Sequence, residues 1–442
     1  MQPSSFRGRA SVWLAPILAA ALTPAAFAAG PPTYVNYPAP DPLGTSAGEP
    51  SIGVNWVTGK VLYLAGLETL RVSFDDSHAP ATAFWQDVSY PLTGLTTLDP
   101  ILSTDSKTGR TFVAQLAGNT SLMAYSDNDG ASWLPGLMTG ITSGVDHQTV
   151  GAGSFAPGLP ALGLSQHVVY YCSQNIAYAA CAASLNGGLT FNPAVPIYNL
   201  LQCGGLHGHV KVAPDGTAYV PNKSCGSGQG VAVSTNNGLT WTVRTVPGST
   251  SGAGSDPSVA IGSDGTVYFG YADGDGHSRI AVSRDRGVTW SAPSDAGTAF
   301  GIQNTAFPAV VAGDGDRAAY AFLGTPTPGA DGIDDIPTFP GVWHLYIATT
   351  TNRGATWTTV DATPNDPVQI GSICLAGTTC GTTRNLLDFM DAVVDAQGRV
   401  LVGYADGCTG SCVTGGPNTR TALANIARQT GGPRLFAAYD TP

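Results

Sequence analysis

Short apolar runs, separated by turns that contain glycine, recur along the chain from residue 49 onward. Each repeat begins with an apolar strand, followed by a turn such as Thr108-Gly109 or Asp264-Gly265 and then by three further strand-like segments. Glycine, threonine, valine and tyrosine are frequent, and no stretch keeps a helical period. The pattern predicts an all-β protein made of repeated four-stranded units.

An eight-residue turn motif lies between the third and fourth predicted strands of most units. Its positions read Ser or Thr, any residue, Asp or Asn, any residue, Gly, any residue, Thr or Ser, and an aromatic residue. The copies are Ser126–Trp133, Ser184–Phe191, Ser234–Trp241, Ser283–Trp290 and Thr350–Trp357. The Asx side chain bonds nearby backbone N–H groups, the glycine adopts a conformation that a Cβ resists, and the aromatic residue restarts a strand. A repeat of roughly 50–70 residues is typical of radial or solenoid architectures.

This motif resembles the Asp box, or BNR repeat, of sialidase-like β-propellers. The resemblance implies one propeller domain over residues 29–442, with the boxes on the face opposite the active mouth and their tryptophans substantially buried. We count seven four-stranded antiparallel blades, and we expect the last blade to end with a strand over Arg434–Ala438. The alternative is six blades, with the first and last units merged into one closing blade.

The first 28 residues predict a signal peptide. Arg7 and Arg9 precede an apolar run from about Ala10 to Leu22, and Ala26-Phe27-Ala28 matches a cleavage site. The run is shorter than the roughly 20 residues that a membrane span needs, and no later stretch qualifies. We therefore expect a secreted or periplasmic protein without a membrane span.

The charge of the chain restricts its partners. The net charge is −11, and removal of residues 1–28, which hold two arginines and no acidic residue, makes it −13. Nucleic acid and anionic membranes are thereby disfavoured. We expect a monomer whose partner is an extracellular glycan or glycoconjugate.

Eight cysteines fall into four local pairs, which suits an oxidising compartment. We predict disulfides within the pairs Cys172 and Cys181, Cys203 and Cys225, Cys374 and Cys380, and Cys408 and Cys412. A zinc site is the alternative, but the pairs are scattered and lack a matching histidine pattern.

The first strands of propeller blades line the central channel and begin together at one mouth. Six of the seven predicted starts carry an acid or a histidine, and the candidate catalytic residues are Glu49, Asp99, His147, His207, Asp256 and Asp388. Crowded carboxylates raise one another's pKa and separate acid from base roles. Asp256 is the expected general acid because its neighbours would keep it protonated. The ring could instead hold calcium or another divalent cation, or its members could simply cap loops.

Loops between the second and third strands should open at the same mouth. Gly270–Gly274 is repeated as Gly403–Gly407, which makes Tyr271 and Tyr404 candidate substrate contacts. Further candidates are the calcium ligands Asp273 and Asp275, the substrate-binding arginines Arg279, Arg384 and Arg420, and a substrate-binding loop at 324–343 with Asp331, Asp334, Asp335, Phe339 and Trp343. The Arg-Ile-Pro motif of sialidases is absent, since Glu49-Pro50-Ser51-Ile52 stands at its place.

Three functions remain open from the sequence. We favour a glycoside hydrolase that uses carboxylates at the channel mouth. The second is a polysaccharide lyase or metal-assisted enzyme that uses His147, His207 or His209 with Tyr271. The third is a non-catalytic propeller that binds glycan or protein, which a mouth plugged by Phe307 and Phe389 would favour. The sequence requires no cofactor.

Overall fold

The fold is an all-β ring of seven sheets. A computed structural model describes Met1 and the ranges 30–118, 120–136, 146–158, 165–251, 254–329, 336 and 338–440. Residues 2–28 of the expected signal peptide lie outside the described residues, as do Asp331, Asp334 and Asp335 of the expected substrate loop. No helix within the described ranges has the length and apolar character needed to cross a membrane.

The strands follow one another around the ring in chain order. The first strand is β1 (Thr33–Pro38). Blade one contains β2 (Ser51–Val54), β3 (Val61–Ala65), β4 (Glu68–Asp75) and β5 (Thr82–Asp87). Blade two contains β6 (Pro100–Thr104), β7 (Thr111–Ala117), β8 (Thr120–Ser126) and β9 (Leu134–Pro135). Blade three contains β10 (Asp146–Gly153), β11 (Val168–Gln174), β12 (Tyr178–Ser184) and β13 (Val195–Asn199). Blade four contains β14 (Cys203–His207), β15 (Lys211–Val212), β16 (Ala218–Cys225), β17 (Gly228–Ser234) and β18 (Thr242–Thr245).

Blade five contains β19 (Ser258–Ile261), β20 (Val267–Ala272), β21 (Ser278–Ser283) and β22 (Ser294–Asp295). Blade six contains β23 (Asn304–Ala312), β24 (Ala318–Thr325), β25 (Val342–Thr350), β26 (Thr358–Asp361) and β27 (Gln369–Ile370). Blade seven contains β28 (Asp391–Val394), β29 (Val400–Asp406) and β30 (Leu423–Gly431). Short 3-10 helices span Thr298–Phe300, Gly377–Thr379, Gly410–Thr414 and Ala437–Tyr439.

The inner strands close into a ring. Their contacts run from β2 through β6, β10, β15, β19, β23 and β28, and β28 also touches β2. A closed ring leaves no inner sheet unpacked against a neighbour, which is how a propeller buries both faces of its blades. The seven-bladed propeller predicted from the sequence is confirmed.

Blade seven is closed by the beginning of the chain, which corrects the expected strand set. β1 pairs antiparallel with β30, with Tyr37 opposite Ile426, and so supplies the outer strand. The predicted strand over Arg434–Ala438 is wrong. That segment lies against neighbouring turns instead, because the N–H of Leu435 donates to Gly398 O and that of Ala437 donates to Asp314 Oδ2.

The turn motifs fold as hairpins with one shared bonding scheme. In the first copy Gly130 N donates to Ser126 Oγ at 2.9 Å, and Ser132 N donates to Asn128 Oδ1 at 2.9 Å. The other four copies repeat both bonds. The tryptophans of these motifs are half-buried rather than fully covered, with Trp290 against Phe269 as an example.

The fourth position of each motif links neighbouring blades. Its residues all adopt left-handed backbone conformations, at φ values between 55° and 75°, namely Asp129, Gly187, Asn237, Arg286 and Arg353. Asn55 Nδ2 in the first turn of blade one donates to Asp129 Oδ1 at 2.7 Å, and Arg353 Nη2 reaches Asp264 Oδ2 of blade five at 2.7 Å. Asn55 and Asp264 stand in the turns that follow the inner strands β2 and β19. The motifs that contact them therefore lie on the face opposite the strand starts. We call this the box face.

Four disulfides tie strands and loops together. The bonded pairs are Cys172–Cys181, Cys203–Cys225, Cys374–Cys380 and Cys408–Cys412, as predicted. No cysteine of the described residues remains free. The thiolates of a zinc site are therefore not available among them.

Candidate functional site

The starts of the inner strands gather polar side chains at one end of the channel, which we call the strand-start mouth. Glu49, Asp99, Asp256 and Asp388 each stand shortly before an inner strand, while His147 lies near the start of β10 and His207 ends β14. A hydrogen bond, a ring contact and electrostatic interactions connect these six residues with one another. Their convergence follows from the common start of the inner strands around one ring.

A buried ion pair crosses the mouth from blade three to blade five. His147 Nε2 hydrogen-bonds to Asp256 Oδ2, and Lys223 Nζ lies 3.2 Å from Asp256 Oδ1. Burial by itself raises the pKa of Asp256, but the charges of His147 and Lys223 outweigh burial and lower it. Burial lowers the pKa of His147, yet Asp256 and Asp146 raise it well above its ordinary value. Asp256 is therefore ionised at neutral pH.

This finding corrects the expected role of Asp256. The sequence suggested that neighbouring carboxylates would keep Asp256 protonated as a general acid. Its immediate partners are instead the cationic groups of His147 and Lys223, which hold its pKa down. A proton donor at this mouth must therefore be a residue other than Asp256.

His207 differs sharply from His147 in its electrostatic environment. The two rings meet edge to face with centroids 6.2 Å apart. Burial, followed by the charge of His147, lowers the pKa of His207 to about 4. His207 is neutral at pH 7, and its Nδ1 donates to Gly208 O at 3.0 Å.

Glu49 and Asp388 form a carboxyl pair that an arginine fixes on one side. Arg384 makes two bonds of 2.6 Å to the two carboxylate oxygens of Asp388. The carboxyl of Glu49 lies close to those of Asp99 and Asp388, and burial, with the charges of these two groups, raises the pKa of Glu49 well above its ordinary value. Because two ionised carboxylates repel each other, the proton of this pair resides on Glu49.

Asp99 is buried beside β10. Gln148 N donates to Asp99 Oδ2 at 2.7 Å, and burial raises the pKa of Asp99 to about 7 despite the nearby charge of His147. The backbone around these groups is unusual, since Glu49 and His147 have φ values of 55° and 47°. Left-handed conformations at residues other than glycine concentrate at functional sites.

A cavity of about 410 Å³ opens next to Glu49 between blades one and two. Its walls combine the Glu49 and Glu68 side chains with Leu67, Leu98 and Leu387. Pockets that bind small ligands in proteins have volumes of about 300–1,000 Å³ and mix apolar walls with a few polar groups. Glu49 is thus a buried acid beside a space of ligand size.

The side chain of Phe389 reaches across the channel from blade seven. Phe307 and Phe389 are both buried, and with Leu386 and Met390 they line a tight contact between blades six and seven. The ring of His209 meets Phe389 edge to face at 4.6 Å. A ligand at this mouth would therefore sit on the channel rather than pass through it.

Several residues predicted to contact substrate are buried in the core instead. Tyr271 packs between blades four and five and Tyr404 in the largest core cluster, and both are at most 2% exposed. Phe339 and Trp343 of the expected substrate loop are also buried in that core. The repeated sequence around Tyr271 and Tyr404 therefore records equivalent core positions of two blades.

The three candidate arginines do not form one substrate clamp. Arg279 is bonded to the predicted calcium ligands, with Nε 2.9 Å from Asp273 Oδ2 and Nη2 2.6 Å from Asp275 Oδ2. The carboxylates of Asp273 and Asp275, which were predicted to bind calcium, are thus paired with Arg279. Arg384 is engaged by Asp388, whereas Arg420 is half-buried and its Nη1 makes no hydrogen bond.

Two contributors to the mouth were not proposed from sequence as site residues. Lys223 comes from the end of β16, the second strand of its blade. Asp146 stands directly before His147, which is the residue predicted for the site at this strand start. The signal for Asp146 was its place at a strand start. Lys223 had no comparable signal, because its position depends on the long bulged hairpin of β16 and β17.

No family model matches the chain, and no curated protein matches it in sequence. Solved structures with a similar backbone include a protein of unknown function from Dyadobacter fermentans, at 16% identity over 89% of this chain and 97% of that chain, with a TM-score of 0.43. Hadza microbial sialidase Hz136 is 14% identical over 84% and 73% of the two chains, with a TM-score of 0.42. AofleA from Arthrobotrys oligospora is 12% identical over 74% and 90%, with a TM-score of 0.46. These likenesses concern the fold alone.

Proposed function

We propose that the chain is an exported glycoside hydrolase that acts on neutral glycans at the strand-start mouth. One observation carries the proposal: Glu49, a buried acid of raised pKa beside the arginine-bound Asp388, borders a cavity of about 410 Å³. The signal-like segment at residues 1–28 and the four disulfides support export.

Glu49 would be the proton donor. Glycosidic bonds break when an acid protonates the leaving oxygen as the bond to the anomeric carbon lengthens. Water then adds to the anomeric carbon and returns a proton to the Glu49 carboxylate. Asp388 would help to keep the proton on Glu49, and Arg384 would hold the Asp388 carboxyl group in position.

The charge of the mouth supports a neutral substrate. Glu49, Asp99 and Asp388 face the same region, and Arg384 is already neutralised by Asp388. An anionic sugar would meet carboxylates without an available arginine clamp, which opposes binding. A sialoside is therefore the less suitable substrate.

The test is a turnover screen of the purified chain against neutral oligosaccharides and sialosides, with Glu49→Gln and a matched carboxylate variant on the box face, Asp215→Asn. We expect cleavage of a neutral glycan, a loss of kcat of at least about 100-fold in Glu49→Gln, and unchanged kcat in Asp215→Asn. Preferred cleavage of sialosides, or full activity of a folded Glu49→Gln protein, would refute the proposal.

A second function is favoured by the obstruction of the channel. Phe389 lies across the channel and meets His209 of blade four, which suits a shallow binding site as well as an enzyme. In this second function, the cavity beside Glu49 binds a sugar without cleaving it. Glycan binding at this cavity, with no turnover of any bound oligosaccharide, would support it over the hydrolase.

A further inference from the structure

We propose that Asp99, Asp146 and His147 form a binding site for a divalent transition-metal ion such as Zn²⁺ or Mn²⁺. One potential ligand atom from each of the three residues lies within 4.8 Å of the others. The site goes beyond the glycosidase proposal, because it is formed by other residues than the Glu49–Asp388 pair and its test does not depend on turnover.

The histidine supplies the decisive observation. The side chain of His147 is 8% exposed, and its Nδ1 makes no hydrogen bond although it is buried. Asp146 Oδ1 is 3.5 Å from this nitrogen, on the side where the carboxylates gather. The long ion-pair contact to Asp146 leaves this buried nitrogen without a hydrogen bond, and a metal ion between these atoms would give it a closer partner.

The other ring nitrogen is fixed as a metal-binding histidine requires. His147 Nε2 bonds to Asp256 Oδ2, and Lys223 holds the second oxygen of that carboxylate. Metal-ligating histidines usually donate their second nitrogen to a carboxylate, which fixes the ring and its tautomer. A metal ion would take the place of the proton on Nδ1, beside Asp146, while the proton on Nε2 stays with Asp256.

The two carboxylates are held by the backbone of the same strand. Gln148 N donates to Asp99 Oδ2 at 2.7 Å, and His147 N donates to Asp146 Oδ1 at 3.0 Å. Each carboxylate retains a second oxygen for a metal ion. The side chain of Asp146 is half exposed, which gives an ion a path from solvent.

The ligand types indicate the class of metal. Imidazole nitrogen suits zinc and other transition metals, whereas calcium and magnesium prefer oxygen ligands throughout. One nitrogen with two carboxylates therefore favours Zn²⁺ or Mn²⁺ over Ca²⁺. Solvent would complete the coordination.

Calorimetric titration of the chelator-treated, tag-free chain with ZnCl₂, MnCl₂ and CaCl₂ tests the site. We expect one equivalent of Zn²⁺ or Mn²⁺ to bind more tightly than Ca²⁺. Asp146→Asn should weaken binding at least about tenfold, and Asp256→Asn should weaken it about 10–100-fold by releasing the histidine. The matched control Asp264→Asn removes a carboxylate from the box face and should bind normally.

A second measurement distinguishes a loss of metal binding from a loss of folding. Because Asp146 is half exposed, Asp146→Asn should keep the circular dichroism spectrum and melting temperature of the metal-free chain. Binding of Co²⁺ with a visible absorption band that Asp146→Asn removes would support the site. Absence of transition-metal binding at millimolar concentrations, tighter binding of Ca²⁺, or equal affinity of Asp146→Asn and the unaltered chain would overturn it.

Discussion

His147 Nε2 hydrogen-bonds to Asp256 Oδ2 across the strand-start mouth, although the two residues are 109 positions apart and belong to blades three and five. The bond passes over blade four, whose His207 ring lies 6.2 Å from that of His147. It therefore joins two blades that are not neighbours. The mouth is held together by charge in its centre as well as by contacts between adjacent blades.

Replacement of Asp256 by Asn should destabilise the fold. The change leaves the cations of His147 and Lys223 without their buried partner, and loss of one member of a buried pair costs about 3–5 kcal/mol. Urea unfolding at pH 7 measures the loss. Asp264→Asn breaks the half-exposed bond to Arg353 on the box face and should cost at most about 1 kcal/mol. Equal stability of the two variants would show that the pair across the mouth contributes little.

Asn237 should reveal how the turn motifs hold adjacent blades together. Its amide accepts a bond from Ala156 N at 2.9 Å and donates to Ala156 O at 3.3 Å, and its φ is 58°. Asn237→Gly loses the two bonds but keeps the backbone conformation, so the expected cost is about 1–3 kcal/mol. Asn237→Ala also strains the left-handed backbone and should cost about 1 kcal/mol more.

The comparison of Asn237→Gly with Asn237→Ala is made by thermal and urea unfolding. If alanine is tolerated as well as glycine, the left-handed conformation is not a constraint at this position. If neither variant loses stability, the link between blades three and four does not stabilise the ring.

Asp406 should make stability depend on pH. Burial, with a smaller effect of Asp366, raises the pKa of Asp406 to about 8 in spite of the bond from Cys408 N. The folded state therefore binds more protons than the unfolded state between about pH 4 and pH 8. The stabilising contribution is complete below about pH 4 and is lost as pH rises through about 8.

Asp406→Asn tests this dependence because the amide oxygen still accepts the 2.9 Å bond from Cys408 N and carries no charge. We expect the variant to melt at a higher temperature than the unaltered chain at pH 8.5 and at nearly the same temperature below about pH 4. A difference that is the same at both pH values would contradict the raised pKa.

Removal of β1 should open the ring. A chain that begins at residue 39 lacks the outer strand of blade seven and exposes the edge of β30. We expect a lower melting temperature and concentration-dependent association, because an uncovered strand edge pairs with other chains. A chain that begins at residue 30 keeps β1 and should remain monomeric. Equal behaviour of the two chains would show that closure by β1 is dispensable.

The sequence determined the parts of this protein that local chemistry controls. The turn motifs can be identified from the sequence. Asn128 or its equivalent, the following glycine and the aromatic residue must stand at fixed offsets to close one hairpin. The repeat of these hairpins predicted seven blades, and the cysteine spacing predicted four disulfides that the structure contains. The common start of the inner strands also brought Glu49, His147 and Asp256 to one mouth.

Only the tertiary structure decided what each of those groups does. The charge state of Asp256 depends on Lys223, which reaches it from a different strand, and that of Glu49 depends on Asp388 from the opposite end of the chain. The outer strand of blade seven was assigned to the wrong end of the chain because the pairing of β1 with β30 leaves no local sequence signal. Tyr271 was predicted to contact substrate but is buried, since alternation along β20 does not reveal which neighbouring blade covers it. Local patterns fix turns and strands, whereas pKa values and closure arise from residues that only the folded ring brings together.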